Sequence, residues 1–270
     1  MRVGLIQLSS FPEPSRNFSF LAEMFERAAE QRIDLLALPE NVMVMAPEGP
    51  AVFSDGAAAF LDQLSEACVR YGFWMLTGTL PWPTRPDGTP VTNGRVRAAS
   101  FLLDAEGRKV GRYDKMHMFD VDVEDGVGRY RESDRMEAGD DVVVLSTPWA
   151  NIGMSVCYDL RFSQLYDQLR RLGSSLLYIP AAFTRITGQA HWEVLLRARA
   201  IEQQCFVLAP AQCGTHYPGR QTWGHSMIID PLGEVIAEAG DQPTLLCADL
   251  DLSRIEQRRR AMPMAQQRRL

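Results

Sequence analysis

Val3-Gly4-Leu5-Ile6-Gln7-Leu8 and Ile33-Asp34-Leu35-Leu36-Ala37-Leu38-Pro39-Glu40 are two short apolar runs, and the segment between them repeats its apolar residues at helical spacing. Short apolar runs bounded by turn formers read as buried strands. A turn at residues 11–14 and an amphipathic helix over about 17–31 join the two. Strand, helix, strand is the unit of a layered α/β sheet. The second strand stops at Pro39, which leaves Glu40 just beyond its C-terminal end, where open α/β sheets carry their ligands.

The alternation continues outward from that unit. A helix over 56–71 leads into a strand over 73–78, and residues 81–94 are rich in turn formers and read as a loop. Strands over 96–103 and 109–113 flank Asp104-Ala105-Glu106-Gly107 as a β-hairpin, with Lys115 just past the second. Residues 116–141 lack periodicity and carry many charges and glycines. They read as a long loop, and Glu132 lies in it; in a compact domain such loops are more often functional than idle. Strands follow over 142–145 and 152–156, the second ending at Cys157, and then a helix over 161–172. A strand over 175–179, a helix over 190–203, a strand over 205–211 and late strands over 226–230, 234–237 and 245–250 argue for a second sheet. No Gly/Ser-rich linker interrupts the chain, so residues 1–270 read as one α/β domain with two packed sheets.

Composition removes several classes. With 46% hydrophobic and 23% charged residues the chain is neither disordered nor fibrous. Its net charge is -6 and most arginines are scattered, so the stripe a nucleic-acid binder needs is missing. The exception is a basic tail from about residue 254 with Arg258, Arg259, Arg260, Arg268 and Arg269, which reads as a solvated or subunit-contacting terminus. Five cysteines without a CxxC pair suggest neither a disulfide framework nor structural zinc and fit a reducing compartment. The opening run is too short for a signal peptide and no stretch reaches the roughly 18 apolar residues of a membrane span. The expectation is a cytoplasmic protein that binds neither membrane nor nucleic acid and needs no metal or other cofactor. Neither HExxH nor a glycine-rich phosphate loop occurs.

Three residues stand where chemistry could be done. Cys157 follows a strand and precedes a helix, so the helix N-terminus and nearby cations are expected to lower its thiol pKa. Glu40 directly follows an apolar strand, where loss of hydration makes a carboxylate a usable base. Lys115 follows a third strand. Singly, a core cysteine, a capping glutamate and a surface lysine are the ordinary readings; together, at the ends of three different strands, they can converge on one pocket. His117, His191, His216 and His225 have no motif tying them to Cys157 and read as structural.

The ordered segments Pro39-Glu40, Tyr113-Asp114-Lys115-Met116-His117 and Val156-Cys157-Tyr158-Asp159 resemble the nitrilase superfamily of carbon-nitrogen hydrolases with its Glu-Lys-Cys triad. Cys157-Tyr158-Asp159-Leu160-Arg161-Phe162 and the run from Thr187-Gly188-Gln189-Ala190-His191-Trp192 to Arg199-Ala200 are similar to its Nit branch. The resemblance implies a four-layer αββα sandwich, homodimers or dimer-based oligomers, and a second glutamate matched by Glu132. It implies that Glu40 carries the proton, Cys157 attacks the amide, and Lys115 with the Tyr158 N–H stabilises the oxyanion. Two Nit subgroups fit, deaminated-glutathione amidases and omega-amidases of 2-oxo acid amides. Ala209-Pro210-Ala211-Gln212-Cys213-Gly214 and Gly224-His225-Ser226 favour the first. The substrate is then a small anionic amide, with Arg161, Arg185, Phe183 and Thr187 as candidate binding residues. A catalytically silent interaction protein would be marked by a lost triad member, and none is lost.

Overall fold

The computed structural model describes residues 1–123 and 128–269. Two mixed sheets pack face to face, each with helices on its outer side. In the first, the strands run in the order Thr244–Asp249, Arg2–Gln7, Leu35–Ala37, Trp74–Leu76, Arg97–Leu103 and Leu80–Trp82, with Lys109–Asp114 also paired to Arg97–Leu103. Arg2–Gln7 is parallel to Leu35–Ala37 and antiparallel to Thr244–Asp249. The second sheet runs Val235–Glu238, Met227–Ile229, Phe206–Ala209, Leu176–Tyr178, Asn151–Met154 and Val144–Ser146, with its three central strands parallel.

The apolar runs are continuous because these strands are buried on both faces. Val3, Leu5, Leu35, Ala37, Leu76 and Leu102 face the second sheet and share a core with Ile152, Met154 and Val156. Their neighbours Ile6, Leu8, Leu36, Leu38, Met75 and Leu103 point the other way, onto the helices Pro14–Glu30 and Ala57–Tyr71. Helices Ser163–Arg171 and Arg185–Gln203 cover the outer side of the second sheet through Leu165, Leu169, Trp192 and Leu196. This is the expected α/β sandwich of two mixed sheets flanked by helices.

Polar ties hold the sheets in register where the site lies. The Tyr178 hydroxyl, fully buried, donates to Leu38 O at 2.5 Å and accepts from Gly78 N at 2.9 Å. Gln212 Nε2 donates to Ser10 Oγ and Glu40 O, and Gln212 Oε1 accepts from Ser10 N.

Several local expectations needed correction. The helix expected from residue 190 begins at Arg185, where Thr184 caps it by accepting from Thr187 N. Gly188 inside that helix hides its start from a propensity reading; a side chain there would overlap Trp223. The loop over 81–94 begins within an edge strand, Leu80–Trp82. The long loop over 116–141 contains a hairpin, Asp120–Asp122 with Arg129–Arg131. A further hairpin, Cys213–Tyr217 with Arg220–Trp223, was not anticipated. The basic tail is helical over Ser253–Ala261 and folds back: Arg259 donates to Ser174 O, and Arg268 pairs with Asp167. No described helix is long and apolar enough to cross a membrane.

Candidate active site

Glu40 is held by its backbone before its side chain does anything. Gly78, at φ +71°, lies so close to Pro39 O that an added Cβ would overlap it, so the chain passes there only as glycine. Beyond Glu40, Asn41 turns the chain at φ +55° and donates its N–H to Thr79 Oγ1 at 2.8 Å. The carboxylate is left 4% exposed. Lys115 arrives from the end of strand Lys109–Asp114, is 1% exposed, and places Nζ 2.8 Å from Glu40 Oε1 and 2.8 Å from both oxygens of Glu132. Glu132 is fixed in turn by the N–H of Phe119 at 2.6 Å.

Cys157 sits at φ +49°, a left-handed conformation that costs a residue with a side chain on the order of 1 kcal/mol or more and marks an enforced turn. Its N–H is donated to Pro180 O at 2.8 Å, and the short 3₁₀ turn Cys157–Arg161 follows before helix Ser163–Arg171. Fully buried Asp159 locks this turn to the lysine-bearing segment. It accepts from Val156 N at 2.8 Å, the Tyr113 hydroxyl at 2.7 Å, His117 N at 3.0 Å and His117 Nδ1 at 2.7 Å.

The electrostatics differ from expectation at the thiol. Burial first, then the Glu40 carboxylate, push Cys157 well above the ordinary thiol value, and the opposing pull of Lys115 does not compensate. A sequence reading sees the helix that follows the cysteine but not the carboxylate arriving from another sheet. Cys157 is therefore held as the neutral thiol beside the Glu40 carboxylate. For Lys115, burial alone would favour the neutral amine, but Glu132, Glu40 and Cys157 together hold it well above its ordinary value as an ammonium. Burial raises Glu132; Lys115 pulls it down and Glu40 adds to the rise, and the net direction is upward.

Glu40, Lys115, Glu132 and Cys157 form the floor of a cavity of about 670 Å³. Tyr158, Arg161, Phe183 and Thr187 line it, with the Arg161 guanidinium 5.2 Å over the Phe183 ring and NH1 donating to His191 Nδ1 at 3.2 Å. Arg185 does not line it. That side chain is exposed and lies 5.9 Å over Trp223, because it occupies the outward side of the first helical turn. Asn41, Tyr130, Tyr217 and Arg220 also line the cavity and were missed. The segments of Tyr130, Tyr217 and Arg220 carry no apolar run, so sequence periodicity gave no signal there, and Asn41 beside Glu40 was passed over. The histidines are engaged in the framework: His117 stacks on Phe162, His216 bridges Ser10 O and Thr222 Oγ1, and His225 pairs with Glu238. Among the described residues no cluster of His, Cys, Asp or Glu is arranged to hold a metal.

The chain matches the carbon-nitrogen hydrolase family over residues 2–260. It is 39% identical over 272 residues to a deaminated glutathione amidase of Yersinia enterocolitica, covering 99% of this chain and 92% of the relative. It is 38% identical over 271 residues to the Homo sapiens deaminated glutathione amidase, covering 99% and 82%. Among solved structures, the Caenorhabditis elegans NitFhit protein superposes with a TM-score of 0.90 at 34% identity, covering 99% of this chain and 65% of that one. Saccharomyces cerevisiae Nit3, a member of branch 10 of the nitrilase superfamily, superposes with a TM-score of 0.85 at 26% identity, covering 100% and 97%.

Proposed function

Because the chain belongs to the carbon-nitrogen hydrolase family and is an amide-hydrolysing enzyme, we propose that Cys157 is its nucleophile and that it hydrolyses deaminated glutathione to 2-oxoglutarate and cysteinylglycine. The observation that carries the chemistry is the cluster in which Lys115 Nζ bridges Glu40 and Glu132 beside the Cys157 thiol. Glu40 accepts the thiol proton as Sγ attacks the amide carbonyl carbon. The developing oxyanion is received by Lys115 Nζ and the Tyr158 N–H. When the carbon-nitrogen bond breaks, Glu40 delivers the proton to the departing amine and an acyl thioester remains. Water then attacks that thioester, again giving its proton to Glu40, and releases the acid as the thiol re-forms. Glu132 keeps Lys115 in place and faces the cavity where substrate or water is oriented.

Arg161 and Thr187, which both line the cavity, suit the carboxylate of the 2-oxo acid end. The name borne by relatives at 38% and 39% identity supports the glutathione-derived substrate over a simple 2-oxo acid amide. A cavity of about 670 Å³ also has room for more than a five-carbon acyl group. A homodimer is supported by exposed Ile186, Val194 and Ile201 on one side of helix Arg185–Gln203, and sedimentation of a Val194→Glu variant tests it. The deciding assay supplies deaminated glutathione and 2-oxoglutaramate in parallel and measures cysteinylglycine, ammonia and 2-oxoglutarate. Release of cysteinylglycine is the expected result. Ammonia from 2-oxoglutaramate with no cysteinylglycine would reassign the enzyme as an omega-amidase.

A further inference from the structure

Arg220 opens the return strand of the hairpin Cys213–Tyr217 with Arg220–Trp223. That strand runs beside the segment following the second sheet, with Trp223 N donating to Phe183 O at 3.0 Å and Thr222 bridged to Thr184. The Arg220 side chain lines the cavity at 9% exposure, with NH1 donating to the Tyr130 hydroxyl at 3.1 Å and NH2 to Ala182 O at 2.9 Å. Its guanidinium lies 5.2 Å over the Tyr130 ring. Among the described residues no carboxylate comes within ion-pair distance of it.

A guanidinium withdrawn from water without a counter-charge is costly unless a ligand supplies one. The other buried arginines show the usual solution: Arg97 pairs with Glu137 at 2.6 Å and Arg199 with Glu202 at 2.8 Å. Among the described residues Arg220 meets only neutral oxygens, and those engage two of the five N–H donors of its fork, leaving the rest for a planar anion. Arg161 likewise has no carboxylate partner among the described residues, its polar contact being His191. Arg129 and Arg135 also line the cavity without an ion pair among the described residues, but both are exposed, Arg161 is half-buried and Arg220 alone of these is buried; deaminated glutathione carries two carboxylates, one on the 2-oxo acid and one on the glycine of the leaving amine.

We propose that Arg220, steadied by Tyr130, binds the carboxylate at the far end of the leaving amine and is the specificity-determining residue that favours a peptide-like amine over ammonia. This rests on the substrate reading above. Arg161 takes the acyl end. Arg220 is tied to Tyr130 of the hairpin Asp120–Asp122 with Arg129–Arg131, on the wall that remains for the amine.

The test compares kcat/KM for deaminated glutathione and for its analogue ending in glycinamide, in the wild type, Arg220→Met and Arg220→Lys. Wild type is expected to prefer the free carboxylate by about 30-fold, mostly through KM. Arg220→Met should erase that preference, and Arg220→Lys, which keeps charge but loses the fork, should retain part of it. Release of cysteinylglycine from the one and cysteinylglycinamide from the other with no preference in the wild type leaves the substrate reading standing and overturns the role of Arg220. An undiminished preference in Arg220→Met overturns it as well, and failure of the wild type to cleave either amide overturns both readings. Should Arg220→Met not fold, the wild-type preference and the Arg220→Lys variant still decide.

Discussion

The floor and the wall of the cavity treat charge in opposite ways. On the floor, Lys115 is matched by Glu40 and Glu132 at 2.8 Å, and every charged group has its partner before substrate arrives. On the wall, Arg161 and Arg220 have no carboxylate partners among the described residues. A buried cluster whose charges are paired within it can set proton positions whatever the substrate is, whereas charge left unpaired selects what completes it. On the proposed mechanism the floor governs rate and the wall governs affinity, and variants should separate the two.

The largest break is Cys157→Ala, expected to lower kcat by on the order of 10⁵-fold or more while circular dichroism and melting stay close to wild type. Full turnover in that variant would remove the nucleophile from the floor. Glu40→Gln is next, with kcat down about 10² to 10⁴-fold. It carries a second readout of opposite sign. Because Glu40 helps to push the thiol upward, its loss should make Cys157 easier to alkylate with iodoacetamide at pH 8 even as amide hydrolysis falls. Parallel losses in both assays would mean that Glu40 does not restrain the thiol.

Lys115→Met should reduce kcat about 10² to 10³-fold and also destabilise the protein by roughly 3 to 5 kcal/mol, because Glu40 and Glu132 would then face each other without a cation. Adding Glu132→Gln should return part of the stability and none of the rate, as read by urea unfolding beside the amidase assay. On the wall, Arg161→Gln should raise KM about 10 to 100-fold for every 2-oxo acid amide, with kcat far less affected.

This division explains what was legible beforehand. Glu40 and Cys157 follow strands buried on both faces, and such strands are continuous apolar runs that a sequence displays openly. Lys115 follows a hairpin with clear alternation. Arg220 lies in Arg220-Gln221-Thr222-Trp223 behind a Pro-Gly turn, with no run to mark a strand, and its burial comes from tertiary packing, of that hairpin on residues 182–184 and of its guanidinium on Tyr130. Asp159 was visible only as a letter beside the cysteine, since its four partners come from Val156, Tyr113 and His117. The thiol's direction was misjudged for the same reason: local order named the helix, and tertiary order brought the carboxylate.

The smallest effect separates floor from wall by pH. His216 holds the hairpin that carries Arg220, donating Nδ1–H to Ser10 O at 2.9 Å and accepting from the Thr222 hydroxyl at 2.7 Å through Nε2. Burial first, and the nearby Arg220 charge, lower it from 6.5 to about 4. A histidine so depressed contributes stability that is fully present above about pH 6.5 and is lost as the pH falls toward 4, on the order of 3 kcal/mol in all. Lys115 and Cys157 on the floor are shifted upward instead, so their contributions are intact at neutral pH and disappear only as the pH rises through and beyond their ordinary values of 10.5 and 9.0. Unfolding midpoints of wild type and His216→Gln between pH 7 and pH 4 should converge, because the glutamine variant cannot lose what the neutral histidine supplied. Above pH 9 the two proteins should instead fall in parallel. A constant gap from pH 7 to pH 4 would show that the wall does not depend on the neutral imidazole, and that floor and wall fail together.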